Sequence, residues 1–154
     1  MGYYVRAFCK SDKVPTIAEL ENNLKSNYPQ VHLDTPDTRD GVWKTVEYHY
    51  KEGKEPISVE CNINNGDDSL AAEECREFIE EIGNPGISPA KHKVLAHLKN
   101  TKYIISSQLL SDIDQDGYHL NGEFLKLFVQ NQNGLIQADG EGFYQNSKII
   151  VKIK

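Results

Sequence analysis

Two segments, VWKTVEYHY over 42–50 and ISVECNI over 57–63, constrain this chain more than anything else in it. In each, apolar and polar side chains alternate with the two-residue period of a half-buried strand. Between them lies KEGKEP, where Gly53 supplies the positive-φ freedom of a tight turn. A two-residue type II′ turn at Gly53-Lys54 pairs Tyr50 with Ile57, Tyr48 with Val59 and Val46 with Cys61. Every pair is apolar, and a one-residue slip would mix the faces. The expectation is a hairpin with one face turned to a core.

The same register places Glu47 opposite Glu60 and His49 opposite Ser58 on the other face. Like charges directly across a strand pair destabilise it, so the chain either solvates them or uses them. Enclosed in a cleft, two close carboxylates would share a proton, one pKa being raised. With His49 beside them they could carry acid/base chemistry or hold a metal. The favoured reading is a solvated charged face, with Arg6 or nearby lysines dispersing the repulsion. Glu47, Glu60 and His49 are thus the catalytic candidates. With Trp43 as a cleft wall, they are also the candidate ligand-binding residues.

Around the hairpin, Tyr3–Cys9 reads as a strand. Thr16 and Glu19 form a capping box ahead of Ile17, Leu20 and Leu24, which predicts a short helix. Residues 29–41, with two prolines, three aspartates and a glycine, read as an irregular loop. Residues 70–82 put Cys75, Phe78, Ile79 and Ile82 on one helical stripe ended by Gly83. Ser88-Pro89 opens a second helix, with Val94, Leu95 and Leu98 inward. KYIISSQLL (102–110) reads as a strand and LNGEFLKLFVQ (120–130) as a helix ended by Gly134. LIQADGEGFY and KIIVKI read as a closing pair of strands. The order is β-α-β-β, two helices, β-α-β-β, in one globular domain over 1–154. The expected class is α+β, an antiparallel or mixed sheet with helices mainly on one face and the other face open.

DIDQDGYHLNGE (112–123) fits the calcium-loop pattern D-x-[DN]-x-[DN]-G-x5-E at every specified position. The ligands would be the side chains of Asp112, Asp114, Asp116 and Glu123 and the backbone carbonyl of Tyr118. Against that, position 8 is His119 where such loops place an apolar residue, and the chain holds no second loop of this pattern to pair with. The incoming segment also reads as strand rather than helix. An acidic strand-to-helix turn, with an aspartate or Asn121 as the cap, accounts for the same residues, and it is the favoured reading.

With 23 acidic against 17 basic residues, the formal net charge is −6. Such a field repels nucleic acid and anionic membrane, and favours cations or basic partners. Cys9, Cys61 and Cys75 lack metal-ligand spacing and sit in apolar runs, as buried thiols of a reducing cytoplasm do. The start, MGYYVRAFCKSDK, has no signal-peptide apolar core, and no apolar run reaches membrane length. No G-x-S-x-G elbow, glycine-rich phosphate loop or C-x-x-C occurs.

The run DIDQDGYHLNGEFLKLFVQ…NGLIQADGEGFY resembles the C-terminal part of a small bacterial protein family that carries no assigned activity. The resemblance covers the last third of the chain and implies a bacterial cytoplasmic protein, with no functional residue carried over. Size and acidity also suit an immunity-type protein that blocks a basic toxin. The functional expectation is a non-catalytic cytoplasmic domain that binds a protein or a small ligand through a helix-free sheet face. Calcium binding and acid/base catalysis are the alternatives.

Overall fold

The structure is a computed structural model that describes residues 3–39 and 42–153. Asp40 and Gly41, within the loop read over 29–41, lie outside the described residues, as do Met1, Gly2 and Lys154. The elements run β1 (Tyr3–Cys9), α1 (Ile17–Lys25), β2 (His32–Arg39), β3 (Val42–His49), β4 (Ile57–Ile63) and α2 (Leu70–Ile82). They continue through α3 (Pro89–Lys99), β5 (Tyr103–Leu109), α4 (Gln115–Asn131), β6 (Gly134–Ala138), β7 (Gly142–Gln145) and β8 (Lys148–Lys152). The eight strands form a single sheet in the order β2-β3-β4-β5-β1-β6-β7-β8. Every pairing in it is antiparallel.

This overturns the layout expected from the sequence. The β-α-β-β, two-helix, β-α-β-β order is replaced by a sheet-rich architecture, because two further strands form. One is β2, inside the segment that reads as a loop. It is an edge strand, where proline and aspartate are tolerated because one side of the backbone needs no partner. The other comes from the C-terminal segments, which fold as three strands rather than two. Asn146 and Ser147, both at positive φ (51° and 66°), make the tight turn between β7 and β8.

The helices are also divided between the two faces rather than gathered on one. On the first face, Leu20 and Leu24 of α1 and Leu120, Phe124 and Phe128 of α4 pack on Ala7, Val46, Tyr48, Val59, Cys61 and Ile105. On the second, Cys75 and Ile82 of α2 and Val94 and Leu98 of α3 pack on Phe8, Ile104, Phe143 and Val151. A helical stripe says that a face is buried, but not against which side of a sheet. The fully buried Tyr48 ties α4 to β3 by donating its hydroxyl hydrogen bond to Asn121 Oδ1 at 2.7 Å. Removing that acceptor would strand a buried donor, at a cost of about 1–3 kcal/mol.

Local signals decide the helix starts. Both halves of the Thr16–Glu19 capping box are present. Ser88 accepts from the Lys91 amide with Pro89 in the first turn. The α4 helix begins five residues earlier than the apolar series suggests, because Asp114 caps it by accepting from the Gly117 amide.

The hairpin forms with the expected faces but a different register. Tyr48 pairs with Ile57, Val46 with Val59, Glu47 with Ser58 and Thr45 with Glu60. The slip from the predicted register is two residues, which leaves every side chain on its face. Its cause is the turn. Gly53 (φ 84°) lies within a turn closed by the Lys54 amide on the Lys51 carbonyl at 3.3 Å, not in a two-residue loop. The longer loop lets Lys51 and Lys54 reach the segment 112–116.

Candidate functional site

Register and pleat together assemble a polar surface on the second face, where the strands run out from under α2 and α3. One row crosses five strands: Asp34, Glu47, Ser58, Gln108 and Tyr4 are successive cross-strand partners. The next row runs Thr45, Glu60, Ser106, Arg6, Gln137 and then Phe143. That row passes from polar to apolar where the helices cover it. Among the described residues, β2, β3 and β4 contribute nothing to the apolar core under α2 and α3.

Three of the four candidate ligand-binding residues, Glu47, His49 and Glu60, share this surface. Glu47 and Glu60 stand diagonally, not directly opposite, a separation of about 7–8 Å between backbones. Trp43 is not with them. A register shift against β2 between Thr45 and Trp43 reverses the alternation at that point, as a bulge does. Trp43 therefore turns into the first core, where its Nε1 donates to the Pro15 carbonyl at 2.9 Å. His49 is held by Asp34 rather than by either glutamate. Its Nε2 lies 2.9 Å from Asp34 Oδ2, while His32 Nε2 lies 2.8 Å from Oδ1 of the same carboxylate. The two imidazoles stack with ring centres 6.0 Å apart.

Arg6 does not disperse the glutamates' repulsion. It forms a separate hub at the edge of the helix-covered region. Its Nε donates to Glu74 Oε2, and its Nη1 to Gln137 Oε1 and Asp139 Oδ1, each at 2.7 Å. The guanidinium also lies over the rings of Tyr4 and Phe78, 5.2 and 5.5 Å from their centres. The two carboxylates respond differently. Burial between α2 and the sheet raises the pKa of Glu74, and Arg6 only partly offsets it. Burial also acts to raise Asp139, but hydrogen bonds from Arg6 and the Tyr4 amide outweigh it, and its pKa falls below the usual carboxylate value. No local pattern announces this hub, because its members come from β1, α2 and the β6 end, up to 133 positions apart. Ser106, between Glu60 and Arg6, is buried with its hydroxyl unpartnered.

The calcium-motif residues are spread along a helix start. Asp114 is the cap of α4, while Asp116, Tyr118 and Glu123 lie within that helix. Asp114 and Glu123 are therefore about 13 Å apart along its axis, against metal–oxygen bonds of about 2.3–2.6 Å. Lys51 Nζ sits 2.9 Å from Asp114 Oδ2 and 3.0 Å from Asp116 Oδ2, and Lys54 Nζ donates to the Asp112 carbonyl at 2.7 Å. The Lys51 hydrogen bond, with help from the Gly117 amide, lowers the pKa of Asp114. The ligand set does not converge on one ion in this fold. Among the described residues no group of three or more His, Cys, Asp or Glu side chains is arranged to hold a metal. Even the motif's glycine has another cause. A Cβ on Gly117 would lie 2.5 Å from Ile113 Cγ1 and 2.9 Å from Tyr50 Cζ.

A cleft of about 370 Å³ opens where the ends of β3 and β4 meet the start of α2. Val42, Ile63 and Leu70 give it apolar walls, Lys44, Asn62, Asn65 and Ser69 give it polar ones, and Trp43, whose indole lies in the first core, borders it. Lys44 Nζ donates to Asn62 Oδ1, and to the Cys61 carbonyl at 3.5 Å. The sequence marks Trp43 as a cleft wall, but its companions there are Lys44 and Asn62, not Glu47 and His49.

Among the described residues, no helix is long and apolar enough to cross a membrane. No family model, curated protein or solved structure matches this chain.

Proposed function

We propose that this chain is a non-catalytic binding domain that docks a basic protein surface on the outer, acidic part of its second sheet face. The observation that carries this reading is the register, which sets Asp34, Glu47 and Glu60 among Ser58, Gln108 and Thr45 on one polar surface. The formal net charge of −6 adds a field that steers a cationic partner toward it and repels nucleic acid and anionic membrane. Glu60 is exposed and Glu47 and His49 are only half-buried, which favours a water-washed surface over the enclosed setting that acid/base chemistry uses. Three buried free thiols, Cys9, Cys61 and Cys75, support a reducing, cytoplasmic setting.

The test is calorimetric titration with a decalysine peptide at low and at moderate salt. The wild-type chain should bind saturably and lose affinity as salt rises. The double variant Glu47→Lys/Glu60→Lys should lose binding while its melting temperature stays near that of the wild type. Equal binding by both proteins would remove the proposal.

A further inference from the structure

We propose that the cleft between β3, β4 and the start of α2 binds a small amphipathic carboxylate, a molecule with an apolar body and one anionic head. None of the residues lining it belongs to the acidic row, so this is a site separate from the docking face.

Three independent features converge there. The first is the space itself, about 370 Å³, within the range of pockets that hold small organic ligands. The second is an apolar rim left open to water. Leu70 is 61% exposed and Ile63 is 39% exposed, and both line the cleft beside Val42 and Trp43. Leucine and isoleucine side chains at that exposure, gathered on one hollow, mark a surface that gains by being covered.

The third feature selects the head group. Lys44 is half-buried, and its ammonium contacts only neutral oxygens, Asn62 Oδ1 and the Cys61 carbonyl. Among the residues whose side chains the structure describes, which leave out 36–41, it has no carboxylate partner, in a chain that carries 23 acidic residues against 17 basic ones. An ammonium has three protons to donate, so one remains for a ligand. The first turn of α2 reinforces the preference. Ser69 and Leu70 line the cleft, and the amides of Leu70 and Ala71 open the helix with no intrahelical acceptor. The acidic residues around that turn, Asp67, Asp68 and Glu73, do not line the cleft.

A carboxylate at Lys44 would place its apolar body along Val42, Ile63 and Leu70. The Trp43 indole lies in the first core, across the sheet from α2, so binding is read by isothermal titration calorimetry rather than by its emission. The experiment titrates the full chain with decanoate, and in parallel with decanol, whose body is the same but whose head is neutral. Decanoate should bind saturably and about tenfold more tightly than decanol, the worth of one charge-assisted hydrogen bond. Lys44→Met should bring decanoate down to the affinity of decanol and leave decanol unchanged. Leu70→Asp should weaken both. The comparison of the two ligands on the wild-type chain stands even if a variant folds poorly. No saturable response to decanoate, equal affinity for the two ligands, or full affinity in Lys44→Met would each overturn the proposal.

Discussion

Replacing Gly117 and Gly122 with alanine, one at a time, adds the same methyl group to one helix at two places with opposite surroundings. At Gly117 the new Cβ meets Ile113 Cγ1 at 2.5 Å, Ile113 Cδ1 at 2.9 Å and Tyr50 Cζ at 2.9 Å. At Gly122 nothing lies within 4 Å. Alanine gains roughly 0.5–1 kcal/mol over glycine in either helical position. Overpacking costs about 1–3 kcal/mol, and here the lower half of that range applies, because the half-buried Ile113 side chain can turn aside. The Tyr50 ring, only 7% exposed, has less room to move. Gly117→Ala should therefore destabilise the chain by about 1 kcal/mol and Gly122→Ala should stabilise it by a similar or smaller amount. For a chain of this length the two variants should melt about 4–8 °C apart, on either side of the wild type. Thermal unfolding followed by circular dichroism reads this directly. A Gly117→Ala variant that melts at or above the wild type would mean that residues 112–117 are not held against Tyr50. The helix start described here would then be wrong.

The remaining expectations concern the same elements. Millimolar calcium should leave the melting temperature unchanged against a magnesium control. A calcium-specific rise of several degrees, abolished by Glu123→Gln, would show that the acidic segment rearranges into a metal loop. Burial pushes the Cys61 thiol up to about 12, so a thiol reagent should not label it in the native chain. Cys61→Ala should cost about 1–2 kcal/mol in denaturant titration, and fast native labelling would refute its burial. Burial also lowers the pKa of His97, while its hydrogen bond to the Phe8 carbonyl acts the other way. The unfolded chain then takes up more protons than the folded one below about pH 6.5, and stability should fall as the pH drops through that range. His97→Gln keeps a donor for Phe8 and should flatten that part of the pH profile. An unchanged profile would refute the assignment.

How far the fold was legible depended on whether a signal was local. The capping box of α1, the Ser88-Pro89 start of α3 and the two faces of the hairpin are decided by neighbours in sequence. Cross-strand register is not. It turned on a longer loop, closed by the Lys54 amide on the Lys51 carbonyl, whose lysines meet the segment 112–116 roughly sixty residues away. A slip of two preserves the faces, so the buried set of Tyr48, Tyr50, Val59 and Cys61 could be read from the alternation. The direct Glu47–Glu60 pairing could not. One bulge then moved Trp43 to the far side of the sheet from Glu47 and His49. The edge strand β2 was hidden by its one proline and two aspartates, which an edge tolerates better than a central strand does. The Arg6 hub carries no sequence pattern, because the sheet order assembles it from distant elements, while the Lys44 cleft comes from three consecutive elements whose meeting the strand alternation does not mark.

The most direct test of the acidic docking face is amide chemical-shift mapping on the isotope-labelled chain as decalysine is added at low salt. The shifts should concentrate on Asp34, Glu47, Ser58, Glu60 and Gln108, and Glu47→Lys/Glu60→Lys should abolish them. Shifts confined to α2 and α3, or spread evenly over every exposed carboxylate, would contradict the account.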